Sequence, residues 1–411
     1  MFTDSDRQIL RERAKRVAEI AALPVQEERR ALWRQHNALK RVRPMILFFP
    51  EGSWRELLPD AALKCRGEKA RRIEGDLRRR IYTHEHFDTD NVIEKECIVR
   101  KVIRNSGWGL QAEWTHSAAE TGARRFKPVI QTPGDMQKLS HPAIEYDDAE
   151  TQQRLRDMQD LFGDILDVKL RGVSHISFHL MSQYTALRGL EEVMLDMLEE
   201  PEWLHDAMAF LTEGHERIVK QYAEQNLLCL NNDNTYHSSG GNGYTDELPA
   251  KDADPEHVRP CDMWAAAEAQ ELAQVSPEMH ETFSLRYERQ LLAPFGLNGY
   301  GCCEDLSGKL DYVFKIPNIR RISISPFADV ERSAMQLKGD YIFSWKPHPS
   351  HLVGDFEPER IREYVRYTVQ VARENGCVLE MILKDTHTCE NRPERFDEWA
   401  RIAREVIEDE S

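Results

Sequence analysis

Short apolar runs alternate with segments of helical spacing through most of this chain. After position 152 the runs are four to six residues long, and apolar residues recur every three or four positions between them. Strands that alternate with helices form parallel sheets, because each helix carries the chain back to the start of the next strand. The predicted strands are 45–49, 175–180, 227–230, 262–266, 297–301, 320–324, 341–345 and 378–383. Eight such strands predict an α/β fold, a (β/α)8 TIM barrel.

Two charged helices precede the first predicted strand. Leu10 and Val17 follow helical spacing, and Pro24 marks the start of the second helix. Basic residues are frequent here, but glutamates interleave with them, which is typical of a solvated helix face rather than of a site for an acidic partner. We interpret residues 1–43 as an N-terminal helical extension and residues 44–411 as the barrel.

The pattern is least regular between about residues 60 and 150, which we interpret as an insertion in the barrel. Residues 71–82 have helical spacing, residues 97–104 read as a strand, and residues 128–142 read as a loop.

Composition narrows the class of protein. The chain has 411 residues and a formal charge of −16, which argues against nucleic acid or an anionic membrane as its partner. No apolar run approaches the roughly 18 residues that a membrane span needs, and the N-terminus does not resemble a signal peptide. Eight cysteines lack the spacing of a secreted disulfide framework. We therefore expect a cytoplasmic protein with reduced thiols.

Titratable residues follow three of the predicted strands directly. The carboxyl ends of the strands of an α/β barrel open onto one face, where active sites of this fold are built. The residues at these ends are Cys302, Cys303 and Glu304 after the fifth strand, Lys346 and His348 after the seventh, and Lys384, Asp385, His387 and Cys389 after the eighth. The sequence therefore predicts an active site at this face.

A very polar loop follows the strand 227–230. It contains Asn232, Asp233, Asn234, Tyr236 and His237, and glycines follow them. Asn and Asp favour loops, and glycine allows a ligand to approach the backbone closely. We interpret the loop as substrate-binding, with His237 as a ligand or general base; the alternative is a surface loop built from Asx turns.

Two lysines and an aromatic residue complete the predicted site. Lys346 and Lys384 at strand ends would bind a carboxylate or phenolate, or act as bases after desolvation. His348 is held between two prolines, and Trp345 and Tyr236 would form a wall for the substrate. The alternatives are salt-bridged lysines on the rim and aromatic residues packed in the core.

Three phrases in the second half carry a resemblance to a known family. The first is Gly189, Glu191 and Asp196 followed by Pro201, Glu202 and His205; the second is Ser276-Pro277-Glu278 followed by Tyr287; the third is Tyr300-Gly301-Cys302-Cys303-Glu304-Asp305. These phrases resemble the uroporphyrinogen decarboxylase superfamily over about residues 152–408, and the third falls where its zinc-dependent, corrinoid-linked methyltransferases carry H-x-C-G-D. The arginine- and glycine-rich signature of uroporphyrinogen decarboxylase itself does not follow the first strand.

The resemblance implies a metal site. Cys303 takes the family's cysteine position, whereas Gly301 stands where the family has a histidine ligand, and the last ligand position falls near Thr386. Residues two apart in an extended segment point the same way, so His387 and Cys389 could share one ion. The predicted Zn²⁺ ligands are His237, Cys303 and His387 or Cys389, with Glu304 beside them; the alternative is that the cysteines are buried, inert thiols.

The leading functional hypothesis from this resemblance is methyl transfer. The enzyme would move a methyl group between a small O-, N- or S-methyl compound and cobalamin carried by a separate corrinoid protein, with the metal polarising the substrate. His237, Lys384 or Asp385 would supply the proton to the leaving group. Two alternatives are a metal-free decarboxylase or lyase and a non-catalytic corrinoid- or tetrapyrrole-binding subunit. The sequence leaves open the substrate and whether the chain forms a homodimer.

Overall fold

The computed structural model describes residues 2–115, 125–237, 240–254 and 256–410. The strands within these residues are Met45–Phe48 (β1), Glu96–Arg100 (β2), Val102–Asn105 (β3), Glu113–Thr115 (β4), Arg125–Lys127 (β5), Ile144–Asp147 (β6), Asp167–Arg171 (β7), Ser177–Phe178 (β8), Trp264–Ala267 (β9), Leu297–Tyr300 (β10), Ile319–Ile324 (β11), Ile342–Trp345 (β12) and Val378–Leu383 (β13).

The helices within the same residues are Asp4–Ala21 (α1), Pro24–Asn37 (α2), Trp54–Leu57 (α3), Glu68–His86 (α4), Asp148–Phe162 (α5), Leu180–Arg188 (α6), Leu190–Glu199 (α7), Pro201–Glu224 (α8), Pro277–His280 (α9), Arg286–Leu292 (α10), Leu310–Val313 (α11), Val330–Leu337 (α12), Pro358–Glu374 (α13) and Glu394–Asp409 (α14). A π-helical turn, Glu281–Leu285, joins α9 to α10. None of these helices is long and apolar enough to cross a bilayer, in the parts of the chain described above.

Seven parallel strands form the central sheet, in the order β1-β13-β12-β11-β10-β9-β8. From β8 to β13 the strands follow one another in chain order, and β13 pairs with β1, as in a sheet wound by successive β–α units. This confirms an α/β fold with a parallel sheet and with helices between its strands.

The sheet differs from a closed eight-stranded barrel at the predicted strand 227–230. Among the described residues, 227–230 contribute one parallel bridge, Val173 to Leu228, and β8 has no ladder to β1. The reason is Asn231, whose side-chain amide donates to the carbonyls of Ser174 at 2.8 Å and Trp264 at 2.9 Å. At this position the side chain of Asn231 bonds the neighbouring segments, and the chain then turns away from the sheet.

The two faces of the sheet have different neighbours. Ile46, Phe48 and Met381 point outward into a large apolar cluster with the helices. Leu47 and Ile382 point inward, into a separate cluster with Trp33 of α2 and Tyr244. Because side chains of a strand alternate between faces, the near-continuous apolar runs of β1 and β13 supply both clusters.

The N-terminal helices are integrated with the rest of the chain. Leu10, Val17 and Ile20 of α1 pack with Leu77 of α4 and Leu161 of α5 in a second core. The end of α2 reaches the inner face of the sheet, where His36 Nε2 lies 3.2 Å from Glu380 Oε2.

The region between residues 60 and 150 contains short strands that pair outside the central sheet. β2 pairs in parallel with β7, whereas β3 with β6 and β4 with β5 are antiparallel. The predicted strand 97–104 is divided between β2 and β3, and the predicted loop 128–142 contains one 3-10 turn, Pro133–Lys138.

Candidate active site

Five residues gather at the carboxyl ends of β10 and β13, and we call them the strand-end group: Cys302, Cys303, Glu304, Lys384 and Asp385. Two unusual backbone conformations orient these side chains. Gly301 has a φ of +95°, and Asp385 has a φ of +59° in the left-handed region that most side chains avoid. Strained residues of this kind concentrate at functional sites, which supports a functional role for this end of the sheet.

The two cysteine sulfurs of the group are in contact. Cys302 Sγ lies 3.6 Å from Cys303 Sγ, and Cys303 Sγ lies 4.0 Å from Asp385 Oδ2. The hydrogen bond between the two thiols lowers the pKa of Cys303 and raises the pKa of Cys302. The pair therefore loses its first proton more easily than an isolated thiol, and that proton leaves Cys303.

Lys384 is the cation of the group. Its Nζ lies 3.4 Å from Asp385 Oδ2, and its side chain is 13% exposed. Burial by itself lowers the pKa of Lys384, but the nearby Cys302 and Asp385 outweigh it, so the net pKa is raised. Lys384 is therefore an ammonium at neutral pH, with solvent access through the partly exposed Asp385.

Glu304 is held by backbone donors under the thiol pair. Its Oε2 accepts from the Cys302 N–H at 2.8 Å and its Oε1 from the Ala269 N–H at 3.4 Å. Burial, assisted by the charge of Glu268, raises the pKa of Glu304 to about 7. Because both oxygens face backbone N–H groups, Glu304 positions the Cys302 backbone rather than facing a substrate.

A column of buried charges lies below the group on the inner face of the sheet. Lys346 Nζ donates to the carbonyl and the hydroxyl of Ser344, both at 2.8 Å, and Ser344 Oγ donates to Glu380 Oε1 at 2.5 Å. Arg321 Nε lies 3.0 Å from the same Glu380 oxygen. Burial lowers the pKa of Lys346 to about 7, so it is a weaker cation than Lys384.

His179 and Glu268 join the site, although the sequence interpretation did not assign them a role. His179 Nδ1 hydrogen-bonds Glu268 Oε1, and the imidazole remains half-exposed. Burial would lower the pKa of His179, but the hydrogen bond and the charge of Glu268 outweigh it and raise the pKa. Glu268 directly follows β9, so the strand-end signal that selected Glu304 and Lys384 applies to it equally.

The polar loop lies against the inner face of the sheet, below the strand-end group. His237 stacks on Trp264 with ring centroids 5.5 Å apart, and its Nε2 lies 3.0 Å from the Asn231 carbonyl. Burial lowers its pKa to about 3, so this imidazole is neutral. A Cβ on Gly240 would meet Arg321 Cδ at 2.0 Å, which shows how closely the loop passes the charge column.

The remaining predicted loop residues bind neighbouring segments. Asn232 Nδ2 donates to the Leu248 carbonyl at 2.8 Å, Asn234 Nδ2 donates to the Val92 carbonyl at 3.0 Å, and Asp233 pairs with Arg171. The Tyr236 ring lies 4.4 Å from the Phe49 ring. Ser238 and Ser239 of the same loop lie outside the described residues.

Two further predicted substrate residues lie apart from the group. Trp345 is fully buried on the helix-facing side of β12, 5.0 Å from the Tyr364 ring of α13. His348 accepts from the Ser350 N–H at 3.2 Å and lies beside Phe327. Their contacts are with the helix layer and with the loop after β12.

The four predicted metal ligands do not converge. His237 is stacked below the group, His387 is exposed, and Cys389 Sγ donates to Glu56 Oε2 at 3.1 Å while burial raises its pKa to about 11. Across residues 2–115, 125–237, 240–254 and 256–410, no three or more His, Cys, Asp or Glu side chains are placed to hold a metal. His237 and Cys389 therefore each have contacts of their own, and zinc binding stays a prediction from the resemblance.

Comparisons with known proteins assign no family to this chain. No family model and no curated protein matches it. Among solved structures it is similar to a methyltransferase from Methanosarcina mazei, with a TM-score of 0.48 and 10% sequence identity over 92% of this chain and 98% of the other. A similarity of this size supports no inference about activity.

Proposed function

We propose that this protein is a methyltransferase that takes a methyl group from a small methylated compound bound at the strand-end group. The observation that carries the proposal is the Lys384 ammonium, which lies beside a thiol pair of lowered first pKa and the Asp385 carboxylate. Transfer of a methyl group leaves negative charge on the heteroatom that loses it. An ammonium at that point stabilises the charge and donates a proton.

The pKa of Lys384 favours oxygen as the leaving atom. When an acceptor attacks the methyl carbon, the carbon–oxygen bond breaks and its electron pair stays on oxygen. The phenol formed has a pKa near 10, so an ammonium with a pKa above its ordinary value of about 10.4 protonates the departing phenolate at little cost. A quaternary ammonium substrate loses a neutral amine, which needs no such acid, and a thiolate, whose thiol has a pKa near 8.5, needs it less. Solvent then returns the proton to Lys384 past Asp385. We therefore favour O-methyl arenes over N- and S-methyl compounds.

A corrinoid protein is the methyl acceptor in this proposal, and its cobalamin would supply a strong nucleophile for carbon. An apolar surface beside the site supports a protein partner: Leu190, Leu195 and Leu198 of α7 are exposed, Leu198 to 73%. They line a cavity of about 920 Å³ together with Glu271, whose charge is close to Glu268 and His179. A partner bound there would lie next to Glu271, on the side of Glu268 and His179.

The test is methyl transfer from a panel of methoxyarenes to cob(I)alamin, followed by the absorbance of methylcobalamin and by mass spectrometry of the phenol. Lys384→Met should lower the rate about 100-fold or more, since it removes the acid. Lys384→Arg should restore little of the rate of methyl transfer, because a guanidinium keeps the charge but releases its proton poorly. Lys315→Met, at an exposed lysine remote from the group, is the matched control and should leave the rate unchanged.

A decarboxylase or lyase is the second candidate, and Lys346 is the observation that favours it. Lys346 donates to two oxygens of Ser344, and in its protonated form the third N–H remains for a substrate carboxylate. Suppose that carbon dioxide is released from a carboxylated substrate, that the release depends on Lys346, and that no methylcobalamin forms. The function would then be decarboxylation or lysis and not methyl transfer. Cobalamin binding without turnover of any substrate would instead favour a binding subunit, and would contradict both.

A further inference from the structure

A cavity of about 660 Å³ lies beside the sheet, between α4, α5 and β2 on one side and the polar loop on the other. None of the strand-end group lines it. Its volume falls within the range of small-molecule sites. The cavity is therefore a separate place at which a ligand of moderate size fits.

One wall of the cavity is apolar. Leu77 of α4, Met158 and Phe162 of α5, and Val92 line it, and all of them are buried side chains. Burial of apolar surface against such a wall contributes about 25 cal/mol for each Å² removed from water. This wall suits a flat or branched hydrocarbon body.

The other wall is charged, and its carboxylates already have cation partners. Glu94 pairs with Arg30 at 2.9 Å, Asp76 pairs with Arg79 at 3.0 Å, and Asp233 pairs with Arg171. Glu96 bonds Lys169 at 2.5 Å. These carboxylates are satisfied and do not require a cationic ligand.

Like Arg100, which is exposed, the partly buried Arg80 of α4 differs from these paired carboxylates. Its Nη1 donates to the Glu96 backbone carbonyl at 3.1 Å, and among the described residues no carboxylate forms an ion pair with it. Burial lowers the pKa of Arg80, and the nearby Cys97, Glu94, Asp76 and Glu96 offset this effect only in part. A desolvated guanidinium with spare N–H donors recognises a planar anion well.

The Tyr236 hydroxyl adds a second unused polar group. Tyr236 lines the cavity from the polar loop, and its buried hydroxyl has no hydrogen-bond partner among the described residues. Buried hydroxyl groups are usually hydrogen-bonded, so an unpartnered one beside a cavity indicates a group or water that occupies the space.

We propose that this cavity binds an amphipathic organic anion, with its hydrocarbon or aromatic body against α4 and α5 and its carboxylate at Arg80. The site is distinct from the strand-end group, so the proposal goes beyond the methyltransferase function and does not depend on it.

Calorimetric titration of the full chain with 2-naphthoate, and with its neutral analogue 2-naphthamide, tests the proposal. We expect the acid to bind at least about tenfold more tightly than the amide, since only the acid pairs with Arg80. Arg80→Met should lower the affinity for 2-naphthoate to that for 2-naphthamide and leave the affinity for the amide unchanged. Arg72→Met, at an exposed arginine two turns earlier in α4, is the matched control and should leave both affinities unchanged.

Two further variants locate the bound anion. Lys384→Met should keep full affinity for 2-naphthoate; loss of binding in this variant, with Arg80→Met unaffected, would place the anion at the strand-end lysines and overturn the proposal. Ile73→Trp should fill the cavity and abolish binding of both compounds, which provides a readout if Arg80→Met does not fold. Equal affinity of the wild-type chain for acid and amide, or no binding of either, would also overturn it.

Discussion

Buried acids behind the strand-end group keep their protons at pH values where the same residues would be charged in water. Glu288 of α10 is fully buried, and its Oε2 accepts from the Tyr300 hydroxyl at 2.8 Å. The same hydroxyl lies 2.9 Å from His280 Nε2. Burial raises the pKa of Glu288 to about 8. Such a group makes the free energy of unfolding depend on pH.

Between about pH 4.5 and 8 the folded chain holds a proton on Glu288 that the unfolded chain has released. The unfolding free energy of the wild type therefore falls as pH rises through this interval, by up to about 1.4 kcal/mol per pH unit from this residue. Glu288→Gln keeps an acceptor for Tyr300 and cannot ionise. We expect its stability relative to the wild type to increase from pH 5 to 8, as measured by urea unfolding.

Parallel pH curves for the two proteins would show that Glu288 is ionised in the folded state. Glu213→Gln, at an exposed glutamate of α8, is the control, and its curve should follow that of the wild type.

At the scale of elements, the path of the polar loop depends on glycines that lie close to buried atoms. A Cβ on Gly243 would meet the Asn231 carbonyl oxygen at 2.1 Å and His237 Nε2 at 2.5 Å. The first of these atoms belongs to the backbone and cannot rotate away. Close approach, rather than an unusual φ, is therefore the reason for glycine at this position.

Gly243→Ala should destabilise the chain by at least about 1–3 kcal/mol, the usual cost of overpacking a filled interior. The matched control is Gly75→Ala in α4, where an added Cβ meets nothing within 4 Å. That change should instead stabilise the chain by about 0.5–1 kcal/mol, because alanine suits a helix interior better than glycine. Denaturant unfolding of the two variants checks both signs, and a tolerated Gly243→Ala would contradict the placement of the loop.

At the scale of the whole molecule, α2 connects the N-terminus to the inner face of the sheet. Trp33 is fully buried, and its Nε1 donates to the Asp90 carbonyl at 2.9 Å. Asn37 Nδ2 donates to the carbonyls of Asn242 at 3.1 Å and Tyr244 at 2.7 Å. Arg321 Nη2 in turn donates to Asn37 Oδ1 at 2.7 Å. The helix thus helps to hold both the loop and the charge column.

Trp33→Ala should cost about 3–5 kcal/mol of unfolding free energy, the range for removal of a large aromatic residue from a core. Leu23→Ala, at an exposed residue just before the same helix, should change stability by no more than about 0.5 kcal/mol. Thermal unfolding compares the two. A small effect of Trp33→Ala would show that the helix is an appendage that the sheet does not need.

Part of the candidate active site could be predicted from the sequence. Cys303, Glu304, Lys384 and Asp385 were placed at strand ends, and the structure brings these four together with Cys302. Glu268 follows the predicted strand 262–266 by two residues, so it carries the same strand-end signal. His237 and Cys389 could not be assigned from sequence, since their surroundings are formed by Trp264 and Glu56, which lie far away along the chain.

The sequence by itself determined the parallel strands, the helices between them and the residues at the strand ends, because apolar periodicity and position along a strand are local properties. Tertiary structure alone decided that the segment after Leu230 turns inward, that the predicted metal ligands face different neighbours, and that Arg80 lines a cavity and donates to a backbone carbonyl. These outcomes depend on burial and on hydrogen-bond partners from distant segments, and no local pattern encodes which distant atoms a side chain will meet.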